Sequence, residues 1–236
     1  MNGEVLDMAV ITYLGHSGFA VRTGSHLLIF DYLGKGLPEP RQADRAIAFV
    51  SHAHADHNHP SVRGWFDQGL CRLCVGEDVP GAGVERFEPG DSRVVDSAII
   101  RAFGSTDQGV SFWVESGGLK VFHAGDFNLW HWRGDGDEAW TRRAEAEFYA
   151  ILAQMEGLPV DVAFFPVDPR MKEDYAQGAM EFAQRVRPRL LFPMHFWDKP
   201  QAALDFAQRP MPAGTRALAL VRPGQQVCYE DALRGL

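Results

Sequence analysis

Residues 52–57 constrain this chain more than any other feature of its sequence. They read His52-Ala53-His54-Ala55-Asp56-His57, so three imidazoles and one carboxylate fall within six positions. Imidazole nitrogens and carboxylate oxygens are the ligands of Zn²⁺ and its first-row neighbours. A protein core cannot satisfy so many polar groups without a partner. We therefore interpret this segment as the centre of a metal site.

The residues just before this segment predict where its ligands lie. Residues 45–51 form an apolar run that is rich in strand formers. A buried strand that ends in clustered ligands places them at the rim of a sheet. Rigid backbone there fixes the direction of each side chain.

Composition narrows the class of protein. The 236 residues are 46% hydrophobic and include 6 Trp, which is enough for a sizeable core; we predict a single domain over residues 1–236. No run of eighteen apolar residues and no secretory signal pattern are visible, which predicts a cytoplasmic protein without a membrane span. The net charge of −8 argues against nucleic acid and favours a small-molecule substrate, including an anionic one. A homo-oligomer is compatible with the sequence.

Cysteine usage points to a reducing compartment. The chain has 3 Cys, of which Cys71 and Cys74 form an isolated C-x-x-C pair. Without a second pair, structural zinc is not expected there, and no disulfide framework is expected either.

Apolar patterning predicts strands first, and alternating helices and strands later. Residues 137–155 show helical spacing, which predicts a long helix. This order indicates sheets covered by helices on their outer faces. The predicted strands are residues 8–14, 19–22, 27–31, 45–51, 72–75, 84–87, 93–95, 97–103, 110–115, 119–123, 160–166, 190–193 and 217–221, and the other predicted helices are 60–68, 175–186 and 201–208.

Four ordered pieces of the chain resemble the metallo-β-lactamase superfamily. They are the opening Leu14-Gly15-His16-Ser17-Gly18-Phe19 with Asp31, the central segment 52–57, Gly125-Asp126, and Pro193-Met194-His195-Phe196. The opening and the last piece are most similar to the branch that contains the ascorbate-6-phosphate lactonases. The resemblance implies an α+β fold: a four-layer αβ/βα sandwich of two facing mixed β-sheets with helices outside.

The resemblance also implies two divalent metal ions, with zinc as the first expectation. Carried over residue by residue, His52 and His54 bind the first metal and Asp126 bridges to the second. The family usually supplies a further histidine to the first metal, and no histidine stands at that place here. His59 is too close to His57, and strand alternation points His123 to the opposite face. To the second metal, the resemblance assigns Asp56, His57 and His195.

Three alternatives remain for the missing ligand. Asp107 stands about where it should come, His131 is the other candidate, and the first site can also be weak or empty. An Asp at this place shifts the preference from Zn²⁺ towards Mn²⁺ or Fe²⁺. As an ordinary turn residue, Asp107 needs no such role.

Other residues are predicted to support this centre. Asp31 is expected to accept the free N–H of a ligand histidine. His16 is expected to line the pocket, and Trp130 and His131 to form an aromatic wall, although simple loop packing explains these two equally well. Arg170 is the best candidate for an anion contact, with a plain surface arginine as the alternative.

These features predict a metal-dependent hydrolase. A metal-activated hydroxide would attack a lactone, ester or phosphodiester bond of a small metabolite, with Asp56 and Asp126 as catalytic carboxylates. A phosphodiesterase or nuclease of the same superfamily is the alternative, although no Lys/Arg cluster favours a polynucleotide. A redox enzyme and a non-catalytic metal-binding protein with an incomplete first site also remain. The sequence does not name the substrate.

Overall fold

The computed structural model describes residues 9–37, 39–132 and 137–234. Within them, the chain forms fourteen strands, five α-helices and two 3-10 helices, at Gln42–Asp44 and Pro169–Asp174. The strands are β1 Val10–Gly15, β2 Gly18–Arg22, β3 Leu27–Phe30, β4 Ala46–Val50, β5 Cys71–Gly76, β6 Glu85–Phe87, β7 Ser92–Val95, β8 Ala98–Gly104, β9 Val110–Ser116, β10 Leu119–His123, β11 Val162–Pro166, β12 Leu190–Met194, β13 Arg216–Ala217 and β14 Gln226–Cys228. The helices are α1 Pro60–Asp67, α2 Glu138–Ala153, α3 Gln177–Val186, α4 Pro200–Ala207 and α5 Tyr229–Leu233.

The strands form two seven-stranded sheets with related topologies. The first sheet has the order β14-β1-β2-β3-β4-β5-β6 and the second has the order β13-β12-β11-β10-β9-β8-β7. In both sheets the strands that come earlier in the chain pair antiparallel, β1 to β3 in the first sheet and β7 to β10 in the second. The later strands pair parallel, from β3 to β6 in the first sheet and from β10 to β13 in the second. The two halves of the chain thus repeat one plan, and β14 returns to extend the first sheet.

Aromatic side chains fill the space between the sheets. Phe19 of β2 stacks on Phe164 of β11 with ring centroids 4.0 Å apart, and Phe49 meets Phe112 at 5.3 Å. Helices cover the outer faces: Trp65 of α1 packs in a second apolar cluster with the outward side of the first sheet, and Phe182 of α3 lies against β10 and β11. The structure confirms the predicted four-layer αβ/βα sandwich.

The strand and helix predictions are confirmed to within a few residues, with three differences. The strand predicted at 217–221 is only the two-residue β13; Leu218 N still donates to Leu191 O of β12, but residues 218–221 are not assigned to a strand. The short elements β14 and α5 were not predicted. Met8, where the first strand was predicted to begin, lies outside the described residues. None of the helices in the described parts of the chain has the length and apolar character that crossing a bilayer requires.

Parallel strands position the candidate site. In β3, β4, β10, β11 and β12 the chain runs towards the same edge of the sandwich, and polar residues follow where each strand ends. Ligands tend to bind outside the carboxyl ends of parallel strands, because loops there converge on a rigid edge. The residues that follow these five strands are Asp31, His52, Asp126, Asp168 and His195.

Candidate metal centre

Two groups of potential ligands meet at this edge. The inner group consists of His16, Asp56, His57 and His195, whose ligand atoms all lie within 4.8 Å of one another. The outer group consists of His52, His54 and Asp126 and meets the same criterion. The structure therefore brings together six of the seven residues predicted to bind metal, and it adds His16, which was predicted only to line the pocket.

Asp126 lies between the two groups. Its Oδ1 is 3.2 Å from His57 Nε2 and 3.3 Å from His195 Nε2. Its Oδ2 is 3.5 Å from His52 Nε2. One oxygen thus faces each group, which is the arrangement that a bridging carboxylate requires.

The backbone of this region is held in an uncommon conformation. His16, Asp31 and His195 have φ values of +49°, +43° and +62°. Non-glycine residues in this region cost roughly 1–3 kcal/mol each and concentrate at functional sites. His16 is fixed further by the His195 N–H, which donates to its carbonyl oxygen at 3.2 Å. The fold thus maintains strain that directs these side chains to the centre.

Gly125 is required where β10 leads into Asp126. Its φ is +55°, and a Cβ there would lie 2.8 Å from Ser51 Cβ and 3.0 Å from Val110 O. Only glycine lets the segment with Asp126 approach the segment with His52 so closely.

Asp31 lies against the ring of His57, one of the histidines predicted to bind metal. Its Oδ2 lies 2.7 Å from His57 Nδ1 and accepts from Ser51 Oγ at 2.7 Å, while Oδ1 accepts from Ser51 N at 2.8 Å. A carboxylate on Nδ1 keeps the proton there and leaves Nε2 free to bind a metal. Burial raises the pKa of Asp31, but the positive charges of His123 and His57 outweigh burial, so the pKa lies below its ordinary value.

Asp168 plays the same part for His195, and the sequence reasoning gave it no role. His195 Nδ1 lies 2.9 Å from Asp168 Oδ2, and Trp197 Nε1 donates to the same oxygen at 3.3 Å. Arg170 donates to Asp168 from its backbone N–H and from Nε and Nη2 of its side chain. Its position in the sequence could have suggested this role, because Asp168, like Asp31, follows the end of a buried parallel strand.

Four buried atoms at the centre have no hydrogen-bond partner within the described residues. They are His16 Nε2, His57 Nε2, His195 Nε2 and Asp126 Oδ1. Such atoms are costly to bury unless something satisfies them. Three imidazole nitrogens and one carboxylate oxygen aimed at one place form a donor set for a divalent first-row metal ion, so the residues fit the implied group.

The electrostatics of the centre favour positive charge. Burial lowers the pKa of His57, but the nearby carboxylates of Asp31 and Asp126 raise it to about 10. Burial likewise acts to raise the pKa of Asp126, and contact with His57 and the charges of His195 and His52 hold it well below its usual range. Asp56 also has a lowered pKa, mainly because of its contact with His16, whose Nε2 lies 3.3 Å from Asp56 Oδ2. The carboxylates are therefore ionised and ready to bind a cation.

The structure does not place either candidate for the missing ligand in the outer group. Asp107 is exposed and lies on the wall of a pocket that Asp126 also lines. His131 is fully buried and points elsewhere, with Nε2 3.0 Å from Gln177 Oε1 and 3.7 Å from Asp174 Oδ2. His131 therefore packs the loop that follows Asp126, and the predicted place for it in the aromatic wall is not seen.

An aromatic pocket of about 230 Å³ opens beside Asp126. Trp130 forms part of its wall and stacks on Trp132 with ring centroids 5.8 Å apart. Trp130 Nε1 donates to Asp126 O at 2.7 Å, which ties this wall to the ligand segment. Arg170 also lines the pocket, although its guanidinium is engaged by Asp168. The remaining lining residues are Thr106, Asp107 and Trp140.

Comparisons with known proteins agree with this fold. The model of the family described as "Beta-lactamase superfamily domain" matches residues 10–131. A metal-dependent hydrolase of the UPF0173 group from Symbiobacterium thermophilum is 27% identical over 91% of this chain and 97% of its own length. A second from Thermococcus kodakarensis is 23% identical over 93% of this chain and 99% of its own length.

Solved structures show the same fold. Igni18, a metallo hydrolase from Ignicoccus hospitalis, aligns with a TM-score of 0.65 at 18% identity, over 93% of this chain and 97% of its own. The metallo-β-lactamase fold protein YhfI from Bacillus subtilis aligns with a TM-score of 0.63 at 12% identity, over 94% of this chain and 99% of its own. Fold, ligand sets and matches together define the class of metal-dependent hydrolases. Within that class, the chain belongs to the metallo-β-lactamase superfamily.

Proposed function

We propose that this chain is a dinuclear metal hydrolase that cleaves a lactone, ester or phosphodiester bond in a small metabolite. One observation carries the proposal: four buried, unpartnered ligand atoms converge on one place, and a second ligand group adjoins them through Asp126. A pair of divalent ions held there would supply a hydroxide at neutral pH and polarise the oxygen of the bond under attack.

The chain's own residues would bind the cations, orient the histidine rings and accept a proton. His52, His54 and Asp126 would hold one cation, and the inner group together with Asp126 would hold the other. Asp31 and Asp168 fix the ring angles of His57 and His195. Asp56, whose side chain is 35% exposed, lies where it can accept a proton during the reaction.

Asp107 is proposed as the remaining ligand of the outer group. Its loop is tied to the loop after Asp126, since Thr106 Oγ1 donates to Asn128 O and accepts from Asn128 N at 3.0 Å. A carboxylate in place of a histidine supplies a harder ligand, so Mn²⁺ or Fe²⁺ would serve beside Zn²⁺.

The pocket supports a small substrate. Its volume of about 230 Å³ and its tryptophan walls suit a compact group with an apolar face. Arg170 on the rim offers a cation to an acidic group of the substrate, although Asp168 already binds two of its guanidinium nitrogens. The net charge of −8 favours such a substrate over a polynucleotide.

The test is a cleavage assay on metal-loaded protein. Purified chain is stripped of metal, reloaded with Zn²⁺, Mn²⁺ or Fe²⁺, and assayed on lactones, aryl esters and phosphodiesters. His54→Ala is the test variant, because His54 is an exposed member of the outer group. The matched control is His59→Asn: His59 caps helix α1 through its side chain and belongs to neither ligand group, and Asn is a good cap.

We expect turnover in one substrate class with wild type and His59→Asn, and loss of turnover in His54→Ala with little change in folding. Bound metal without turnover on every class would contradict the hydrolase and favour a metal-binding protein. Full turnover in His54→Ala would show that the outer group has no part in the reaction.

A further inference from the structure

The two ligand groups differ in the number of ligands that they offer. The inner group provides four side chains, and Asp126 Oδ1 adds a fifth atom 3.2 Å from His57 Nε2. In the structure the outer group provides His52, His54 and the other oxygen of Asp126, while Asp107, the proposed further ligand, is exposed and stands outside the group. When protein ligands fill the whole coordination sphere of an ion, no position is left for water or substrate. A site with three protein ligands leaves coordination positions open to them.

The groups also differ in the support behind their ligands. Two of the three inner histidines are oriented by buried carboxylates, His57 by Asp31 and His195 by Asp168. In the outer group, the hydrogen-bond partner of His52 Nδ1 among the described residues is a hydroxyl, Ser51 Oγ at 3.0 Å. Loss of a residue that hydrogen-bonds to a metal ligand typically lowers metal affinity by 10- to 100-fold. The better supported inner group should therefore bind its ion more tightly.

Burial separates the groups in the same direction. All four of the unpartnered buried atoms at the centre, His16 Nε2, His57 Nε2, His195 Nε2 and Asp126 Oδ1, face the inner ion's place. Among the outer ligands, His54 is exposed, and His52 Nε2 already contacts His54 Nδ1 at 3.1 Å. Without an ion, the inner group leaves buried polar atoms unsatisfied, whereas the outer group remains partly solvated. The cost of removing the ion is therefore larger for the inner group.

We infer that the two cation sites are unequal: the inner group with Asp126 Oδ1 retains its ion, whereas the outer group binds its ion weakly and exchanges it. This inference rests on the proposed dinuclear centre. His16 is the residue that creates the difference, because it gives the inner group a third imidazole. The exchangeable site adjoins the pocket through Asp126, so the substrate reaches the ion with open positions.

Metal release from wild type and three variants tests the inference. Zn²⁺-loaded protein is dialysed against increasing concentrations of a chelator, and the zinc that remains per chain is measured by mass spectrometry. The inner variant is His16→Asn, because Asn tolerates the φ of +49° there and its amide is a poor zinc ligand. The outer variant is His54→Ala, and His59→Asn is the control.

We expect wild type and the control to release one ion early and the second only at a chelator concentration at least 10-fold higher. His54→Ala should bind one ion and retain it as wild type retains its second. His16→Asn should lose the late step. Release of both wild-type ions in one step, or retention in His16→Asn with loss in His54→Ala, would overturn the inference.

A Co²⁺ titration keeps the test decisive if His16→Asn does not fold. The absorption spectrum of the first Co²⁺ equivalent should be the same in wild type and in His54→Ala, and a changed first spectrum would contradict the assignment. The turnover assay reports on the proposed function separately. Unequal release without turnover would refute only the hydrolase, and turnover with equal release would refute only the inequality.

Discussion

Asp31→Asn is the substitution that most sharply tests how the fold prepares its ligands. The two side chains have the same shape, and Asn tolerates the φ of +43° at this position. Asp31 accepts three hydrogen bonds: one on Oδ1 from Ser51 N, and two on Oδ2 that involve Ser51 Oγ and His57 Nδ1. If the Asn oxygen keeps the bond from Ser51 N, its NH₂ group replaces Oδ2.

The consequence falls on His57. An NH₂ group facing Nδ1 favours the tautomer in which Nδ1 accepts and Nε2 carries the proton, which blocks Nε2 as a ligand. We expect zinc affinity of the inner site to fall by about 10- to 100-fold, or about 1.4–2.7 kcal/mol. Each hydrogen bond lost to a charged group costs about 1.5–3 kcal/mol, and the new bond to Nδ1 offsets one, so the free energy of unfolding should fall by about 1–3 kcal/mol.

The assay is zinc competition with a coloured chelator, paired with urea unfolding of the metal-free chain. Asp96→Asn is the matched control, because Asp96 also has a positive φ of +47° but is exposed and lies outside both ligand groups. Unchanged zinc affinity in Asp31→Asn would refute the claim that Asp31 sets the tautomer of His57. An equal fall in the control would assign the effect to the backbone.

Three further outcomes follow from the structure. Gly125→Ala should lower the free energy of unfolding by at least about 1–2 kcal/mol in urea titrations, since φ is positive and the new methyl meets Ser51. Arg170→Lys should keep the fold, but Lys cannot reproduce the two guanidinium hydrogen bonds to Asp168. We therefore expect either a higher KM or a retention of the inner ion that is weaker by less than about 10-fold. An unchanged KM together with unchanged retention would contradict this. Cys71→Ser should leave the zinc content unchanged, because burial raises the pKa of the Cys71 thiol to about 12 and keeps it protonated. A fall in zinc per chain in that variant would contradict it.

Most of the fold could be predicted from the sequence because its strands are apolar and are separated by typical turn residues. Strand β4, for example, is buried along its whole length, as the apolar run before His52 predicted. Strand β14 was missed because Gln226–Cys228 is short and partly exposed, and it becomes a strand only by pairing with β1. No local pattern encodes a contact between the two ends of a chain.

The sequence predicted which residue types form the candidate site, but not how every side chain is oriented. His52, Asp126 and His195 were recognised as potential ligands by residue type and position, and the structure brings them together. From the sequence, His16 was predicted only to line the pocket. Its backbone has a φ of +49° where its side chain joins the inner group, and the sequence does not reveal that angle. Asp168 was missed although it stands at a strand end, like Asp31. The lesson is that a carboxylate after a buried parallel strand deserves a role as a partner of a ligand histidine.

Anomalous X-ray scattering from crystals grown with Zn²⁺ would show directly whether the two ligand groups bind metal. We expect two peaks about 3.5–4 Å apart, one among the inner ligands and one beside His52 and His54, with Asp126 between them. The inner peak should keep the higher occupancy after a soak in chelator. Strong zinc peaks elsewhere in the crystal with none between His57, His195 and Asp126 would show that this edge of the sandwich is not a metal centre.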